Sequence, residues 1–259
     1  MLTFLISNQS LLVLYFLVFV AGVIDSAAGG GGLIALPAYM VSGMPVHVAF
    51  ASNKFSSACG TTFSTLRFLK HRSIDIYIAL AASVSSFIGS AIASKIVLLL
   101  DAKILNKMLV IIIPIAAIAI LFNKNYSDEN ISRKSRGIKD YIIAVLIGLL
   151  IGFYDGLIGP GSGTFAIIIF SVLMKYDLRT ASGNAKLLNL ASNYASLITF
   201  IFAGTIRYSV AIPAAFCCIL GNYIGAGLAI KKGSKFIRPM MIVVLALLLI
   251  KMLSNVLGW

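Results

Sequence analysis

Long apolar stretches alternate with short polar or glycine-rich breaks along the whole chain. In the first half they cover residues 11–28, 33–44, 46–66, 74–98 and 104–122; in the second half they cover 140–158, 163–174, 180–203, 208–230 and 236–258. Most reach the roughly 20 residues that a membrane-spanning helix needs. The second stretch of each half has only about 12 residues, which predicts a half-helix, a re-entrant piece or a strongly shortened span. The pattern predicts an all-α polytopic membrane protein with eight to ten transmembrane helices.

The two halves repeat one another. The stretch Gly22-Val-Ile-Asp25-Ser-Ala-Ala-Gly29 matches Gly152-Phe-Tyr-Asp155-Gly-Leu-Ile-Gly159, and the offset between matching residues drifts only from 130 to 132. We predict a first transmembrane repeat at 1–122, a connecting loop at 123–139 and a second repeat at 140–259. A duplicated apolar chain that glycines interrupt at matching positions is typical of secondary transporters, whose site lies between the repeats.

The composition indicates a membrane protein. Sixty per cent of the residues are hydrophobic and 11% are charged, whereas soluble domains carry roughly 25% charged residues. The net charge of +13 would suggest a nucleic-acid partner in a soluble protein, but we expect none here, because the positions of the charges matter more than their sum. Cys59, Cys217 and Cys218 lie in apolar segments and are interpreted as packing residues.

The basic residues are distributed unequally between the predicted loops. If all ten segments cross, fourteen Lys and Arg fall on one side, including those of the central loop, and five fall on the other. Because cytoplasmic loops carry the excess of Lys and Arg, we expect a cytoplasmic central loop and both termini outside. An odd number of spans per half also predicts that the second repeat is inverted relative to the first.

Two lysines lie inside apolar segments. Lys54 is eight residues into segment 46–66, which is roughly 12 Å deep at the helical rise of about 1.5 Å per residue, and it looks unpaired in the sequence. Lys186 occupies the matching place in the second half and is nearer its segment end, so it could extend to the interface. A lysine at depth needs a partner, a wet cavity or a function. We interpret both lysines as candidate substrate ligands.

Polar residues surround these lysines on one helix face in each half. Asn53 and Asn184 precede them, and Asn184-Ala-Lys186 carries one residue more than Asn53-Lys54. The face continues with Ser57, Thr61 and Ser64 in the first half and with Asn189, Asn193 and Ser196 in the second. Two interpretations stay open: hydrogen bonds between helices, or a polar track that binds a small anion together with helix N-termini.

The glycine runs do not indicate a nucleotide site. Gly29–Gly32 lacks the Gly-Lys-Ser/Thr ending of a phosphate-binding loop, and Gly159–Gly163 does not follow a strand. At the end of a membrane segment, glycines break the helix and expose backbone N–H groups to a ligand. We therefore predict a discontinuous helix in each half, with close packing as the alternative. The predicted backbone contacts to substrate are Gly30, Gly31, Gly161 and Gly163.

Asp25 and Asp155 occupy matching positions, four residues before the first glycine of each run. Three interpretations stay open for them. They neutralise Lys54 or Lys186 in ion pairs, they face the headgroups, or they couple transport to protons by loading and releasing a proton in a partly dry cavity.

These residues resemble a known family. The pattern from Gly22 through Gly29-Gly-Gly-Gly-Leu-Ile-Ala-Leu-Pro37, then Ala51-Ser-Asn-Lys54, then the second copy from Gly152 to Gly163, is similar to the TauE/SafE sulfite exporters and covers almost the full chain. The resemblance implies a prokaryotic plasma-membrane transporter for sulfite, a sulfonate or a related sulfur-containing or organic anion. The second copy departs from an all-glycine run through Pro160 and Ser162.

Other classes fit the sequence less well. An enzyme is not expected, because the only histidines, His47 and His71, fall on opposite predicted sides and no metal or nucleophile cluster appears. A metal-cation transporter would favour acids and sulfur ligands over buried lysines. A channel or a structural membrane subunit is the remaining alternative. No cofactor is expected, the partners are the lipid bilayer and a small anionic solute, and the choice between monomer and homodimer stays open.

Overall fold

The computed structural model describes residues 8–101, 103–104 and 137–244, and all regular secondary structure in these ranges is α-helical. The helices of the first half are α1 (Asn8–Ala28), α2 (Gly32–Val41), α3 (Val46–Lys70) and α4 (Ile76–Leu99). Those of the second half are α5 (Ile138–Leu157), α6 (Ser162–Leu173), α7 (Leu178–Phe202) and α8 (Tyr208–Lys232), and residues 234–244 are also helical. The predicted all-α class is confirmed. Most of segment 104–122, most of loop 123–139 and the end of segment 236–258 lie outside the described residues.

The two polar helices α3 and α7 extend beyond the predicted segments for local reasons. α3 continues four residues past the prediction, to Lys70, and Arg67 and Lys70 lie in its last turn, where cations interact favourably with the helix dipole. α7 begins at Leu178 because the carboxylate of Asp177 caps it. Asp177 Oδ1 accepts hydrogen bonds from the backbone N–H groups of Arg179 and Thr180, at 2.9 and 3.2 Å.

α2 is shorter than predicted and folds back along α1. At its start, a Cβ added to Gly31 would lie 2.5 Å from the carbonyl oxygen of Ala21. At its end, Val41 lines a groove together with Gln9 and Ser10 from the beginning of α1. Ten residues of helix span only about 15 Å. α1 and α2 therefore form a helical hairpin that returns towards its starting end, which corresponds to the re-entrant alternative of the prediction.

Four of the described helices, α1, α4, α5 and α8, are long and apolar enough to cross a membrane. α3 and α7 are equally long, at 25 residues each, but they carry most of the buried polar side chains. α3 packs against α7 and α8, and α7 packs against α3, α4 and α6. The polar pair α3 and α7 therefore lies within the bundle, and the apolar helices supply the surface for lipid.

Two helices of each half pack against one helix of the other half, and the helices that they pack against, α4 and α8, are equivalent in the repeat. α1 and α3 pack on α8 of the other half, while α5 and α7 pack on α4. Small residues allow these contacts to be close: Gly148, Gly152 and Gly156 lie four apart on α5, and a Cβ at the first two would come within 2.0 Å of the Ala82 oxygen and 2.3 Å of the Ser86 oxygen. Such spacing is typical of close helix pairs in membranes.

Equivalent turns use different residues in the two halves. The turn after α2 has Gly43 at φ 90°, and the corresponding turn after α6 has Lys175 at φ 55°. The turn after α3 has Arg72 at φ 50°, and the corresponding turn after α7 has Gly204 at φ 63°. A left-handed conformation costs a residue with a Cβ roughly 1–2 kcal/mol. Both basic residues at these turns belong to the side that carries the predicted excess of Lys and Arg.

We predict that Gly152→Val lowers the melting temperature of the purified protein by several degrees, because overpacking a close contact typically costs about 1–3 kcal/mol. Thermal unfolding in detergent measures the effect. Leu150→Val on the same helix is the matched control, since the Leu150 side chain is 68% exposed and should tolerate the change. Equal melting temperatures for the two variants would contradict the proposed close contact between α4 and α5.

Candidate functional site

A small polar cavity of about 30 Å³ lies where the two helix breaks meet α3 and α7. A water molecule needs roughly 10–15 Å³ of such volume, so this cavity has room for about two waters. Residues from both halves line it: Asp25, Gly29, Gly32, Asn53, Lys54, Ser57, Asp155, Gly159, Ser162, Asn189 and Asn193. The cavity is thus built between the halves, from helix ends and from the two polar helices.

Lys54 is paired, although it looks unpaired in the sequence. It is the ninth residue of α3, and its side chain is only 4% exposed. Its Nζ donates to Asp155 Oδ2 at 2.6 Å and to Asn193 Oδ1 at 3.1 Å. The acid comes from α5, in the other half of the chain. The ammonium group therefore has a full counter-charge and two acceptors, as a buried charge requires.

Lys186 forms the reciprocal pair. It is the ninth residue of α7, its side chain is fully buried, and its Nζ donates to Asp25 Oδ2 at 2.7 Å. Asp25 comes from α1 and faces the cavity, whereas Lys186 is absent from the cavity lining and lies behind Asp25. Each half thus contributes one lysine and one acid, and each ion pair joins the two halves.

Both carboxylates lie at the N-termini of short helices. Asp25 Oδ1 accepts a hydrogen bond from the backbone N–H of Gly31, the residue before α2, at 3.2 Å. Asp155 Oδ1 accepts one from the hydroxyl of Ser162, the first residue of α6, at 2.6 Å. A helix N-terminus attracts anions through its free N–H groups and its dipole. Each acid therefore occupies an anion site formed by a lysine and a helix N-terminus.

Seven of the predicted site residues line the cavity. They are Asp25, Asn53, Lys54, Ser57, Asp155, Asn189 and Asn193. Thr61 lies one contact further away, because its Oγ1 accepts a hydrogen bond from Asn193 Nδ2 at 3.3 Å. Ser196, at the end of the same polar face, bonds instead to the Ser90 and Ser94 hydroxyls of α4. The polar face is therefore divided between cavity lining and helix-to-helix hydrogen bonds.

Asn53 and Asn184 do not occupy equivalent positions in the structure. Because α3 and α7 have equal lengths and both lysines are ninth residues, no extra residue separates Asn184 from Lys186. Asn184 corresponds instead to Ser52: Asn184 Oδ1 accepts the backbone N–H of Asp75, and Ser52 Oγ accepts that of Arg207. These two residues position the starts of α4 and α8. A contact between Asn184 and substrate stays a prediction.

The four predicted glycines are close to the cavity but do not line it. A Cβ at Gly30 would lie 2.2 Å from the Val244 side chain, and one at Gly163 would lie 2.5 Å from Gly29 Cα, so both positions are close-packed. Gly31 contacts Asp25 through its N–H, and Gly161 precedes α6 with φ 85°. Their predicted contacts to substrate remain untested predictions.

Four lining residues are missing from the sequence-based candidates: Gly29, Gly32, Gly159 and Ser162. Gly29 and Gly159 are equivalent and both have positive φ, at 74° and 88°, so they end the first helix of each half. Gly32 and Ser162 are equivalent first residues of the short helices. The register of the repeat could have identified these residues from the sequence, because it pairs Gly29 with Gly159 and Gly32 with Ser162.

Comparison with known proteins places this geometry in context. A family model described as "Sulfite exporter TauE/SafE" matches residues 14–252. A probable membrane transporter protein of Haemophilus influenzae is 33% identical over 249 residues, which is 96% of either chain. The probable membrane transporter protein YfcA of Escherichia coli K12 is 33% identical and covers 97% of this chain and 93% of its own. A third relative, from a Sinorhizobium species, is 29% identical over 242 residues. No solved structure matches the chain.

Proposed function

Because the chain belongs to the sulfite exporter TauE/SafE family of membrane transporters, we propose that it is a secondary transporter of a small anion. The substrate class is sulfite, a sulfonate or a related sulfur-containing or organic anion, and the location is the plasma membrane of a prokaryote. The observation that carries this proposal is the cavity between two helix breaks, where Lys54 and Lys186 each hold a carboxylate at the N-terminus of a short helix.

The arrangement favours an anion over a metal cation. A cation site needs free carboxylate oxygens, but each cavity acid is already held by a lysine at 2.6 or 2.7 Å. An anionic solute can instead bind beside the Lys54 ammonium group, which lines the cavity. It then accepts a charge-assisted hydrogen bond.

Two side-chain amides offer further contacts to a solute. Asn53 Oδ1 and Asn189 Oδ1 are buried and accept no hydrogen bond from the described residues, and both residues line the cavity. A buried amide oxygen without a partner costs free energy. A hydroxyl group of the solute, or a water bound with it, would supply the missing donors.

We propose a cytoplasmic location for the end of the bundle that contains Arg72 and Lys175. A polar recess of about 500 Å³ at this end brings together Asp177 and basic residues from the ends of α3, α7 and α8 and from the adjoining segments: His71, Arg72, Arg179, Lys232 and Lys235. Arg72 and Lys175 stand in left-handed turns where the equivalent turns have glycine. Basic residues at these two turns, despite the backbone cost, support a role in orienting the protein in the membrane, because cytoplasmic loops carry the excess of positive charge.

We predict that Lys54→Gln abolishes transport of sulfite and sulfonates, because the neutral amide cannot provide the positive charge for the anion. Uptake and counterflow into proteoliposomes measure the effect, and counterflow also separates a carrier from a channel. Lys95→Gln is the matched control, because Lys95 is exposed on α4 and should leave the rates unchanged. Wild-type transport rates for Lys54→Gln would show that Lys54 does not contribute to substrate binding.

Removing one partner of a buried ion pair typically costs about 3–5 kcal/mol, so Lys54→Gln could fail to fold. The double variant Lys54→Gln/Asp155→Asn removes both charges and should recover most of the melting temperature. We expect it to remain inactive. A double variant that is folded and transports at the wild-type rate would contradict the proposed role of the Lys54 charge, independently of stability.

We predict that the equivalent helix ends His71 and Ala203 face opposite sides of the membrane. A single cysteine placed by Ala203→Cys in a background without native cysteines should react with an impermeant maleimide in intact cells. His71→Cys should react only after the membrane is opened. His71 is the exposed C-cap of α3 and Ala203 is the exposed C-cap of α7. The two positions therefore differ in the side of the membrane that they face and not in burial. The reverse labelling pattern would reverse the orientation.

A further inference from the structure

The two acids of the site are held unequally, and we propose that Asp25 is the acid that takes up one proton when an anion binds, while Asp155 stays fixed to Lys54. This inference rests on the anion-transport function proposed above. The coupling ion is then the proton, one proton is taken up per anion, and Asp25 carries it. The starting observation is that the repeat supplies equivalent acids but unequal hydrogen-bond donors.

Asp155 is held by three side-chain donors. Its Oδ2 accepts from Lys54 Nζ at 2.6 Å and also from the hydroxyl of Ser192, and its Oδ1 accepts from the hydroxyl of Ser162 at 2.6 Å. The side chain is only 7% exposed. Neutralising this carboxylate would weaken three hydrogen bonds at once in a buried place, where unsatisfied groups are costly.

Among the described residues, Asp25 has fewer hydrogen-bond donors than Asp155, and its side chain is more exposed. Its Oδ2 accepts from Lys186 Nζ at 2.7 Å and its Oδ1 accepts from the Gly31 N–H at 3.2 Å, which is a longer contact. Its side chain is 21% exposed and borders the cavity. A proton from the aqueous phase can therefore reach an oxygen of Asp25 at the loss of two contacts instead of three.

The unequal hydrogen bonding of the two acids arises from two positions of the repeat. Ser162 and Ser192 of the second half donate to Asp155, and their counterparts in the first half are Gly32 and Gly60, which have no hydroxyl to donate. Gly60 cannot acquire a side chain easily, because its Cβ would lie 2.6 Å from Asn222 Nδ2 and from Cys218 Sγ. The packing of α3 on α8 therefore keeps Asp25 without a hydroxyl donor from position 60.

The charges around the cavity explain why a proton and an anion bind together. In the part of the chain that the structure describes, the ionisable groups that face Asp25 are Lys186 of α7 and Cys218 of α8, with Lys54 of α3 and Asp155 of α5 across the cavity. With both acids ionised, the two lysines and two acids sum to zero and offer a solute anion no net attraction. When Asp25 gains a proton, it becomes a neutral carboxylic acid and the four groups sum to +1. An anion in the cavity, beside Lys54, then balances this charge.

The step balances without any further reactant. One proton leaves the aqueous phase and forms an O–H bond on Asp25, and one anion leaves the same aqueous phase and enters the cavity, where it balances the resulting charge of +1. On release, the proton and the anion leave to the other side and the ion pair between Lys186 and Asp25 forms again. For a monovalent anion the net charge moved is zero, so a pH gradient drives accumulation and a membrane potential does not.

The test measures binding of methanesulfonate, which stays ionised from acidic to neutral pH, to wild type, Asp25→Asn and Asp155→Asn in detergent. One proton taken up per anion predicts that wild-type affinity rises about tenfold for each unit by which the pH falls, while Asp25 is ionised in the free protein. Asp25→Asn should bind the sulfonate at every pH with no slope. Asp155→Asn should bind the sulfonate more tightly than wild type, because Lys54 loses its counter-charge, and should keep a shallower slope, because Asp25 remains.

Asp155→Asn leaves Lys54 without a counter-charge and could fail to fold, so Ser192→Ala is the second variant. It loosens Asp155 without changing any charge and should keep the pH slope. A slope that persists in Asp25→Asn, or is absent in wild type that does bind, overturns the inference and leaves the transport proposal standing. Wild type that binds no sulfonate, sulfite or related anion at any pH overturns the transport proposal itself.

Discussion

Two buried ion pairs that cross between the halves are the interaction on which this structure depends. Lys54 reaches the acid of the second half, and Lys186 reaches the acid of the first. A lone ammonium or carboxylate at this depth would cost several kcal/mol in lost hydration, so neither half can bury its own charges without the other. The same contacts that join the halves also hold Lys54, Asp25 and Asp155 around a polar cavity.

The helix breaks make this arrangement possible. Glycines with positive φ at positions 29 and 159 end α1 and α5, and the short helices that follow start beside the acids. The N–H groups at those starts face a polar cavity and so do not remain unsatisfied in lipid. Close approach of the flanking helices depends on small residues, such as Gly152 against Ser86, and it keeps the polar helices α3 and α7 away from the membrane.

The halves match in helix order but differ where the chemistry differs. Ser162 and Ser192 hold Asp155, and their counterparts Gly32 and Gly60 leave Asp25 with a lysine and one backbone N–H. Two acids in identical surroundings would respond to protons and anions alike. With unequal hydrogen-bond donors, as we propose, Asp155 stays bound to Lys54 and Asp25 takes up the proton. The two halves of a duplicated fold can thus have different functions.

Hydropathy, charge and the internal repeat predicted the all-helical membrane class and the positions of nearly every described helix, because a helix that crosses lipid must be long and apolar. They also singled out Lys54, Lys186, Asp25 and Asp155 as candidate site residues, because ionisable groups are rare inside apolar segments. They did not determine which acid meets which lysine, since the partners are 101 and 161 residues apart and only packing brings them together. The register that pairs Asn184 with Ser52, and the return of α2 along α1, also depend on tertiary contacts. A side chain's neighbours on its own helix follow from local geometry, whereas its neighbours on other helices follow from how whole surfaces fit.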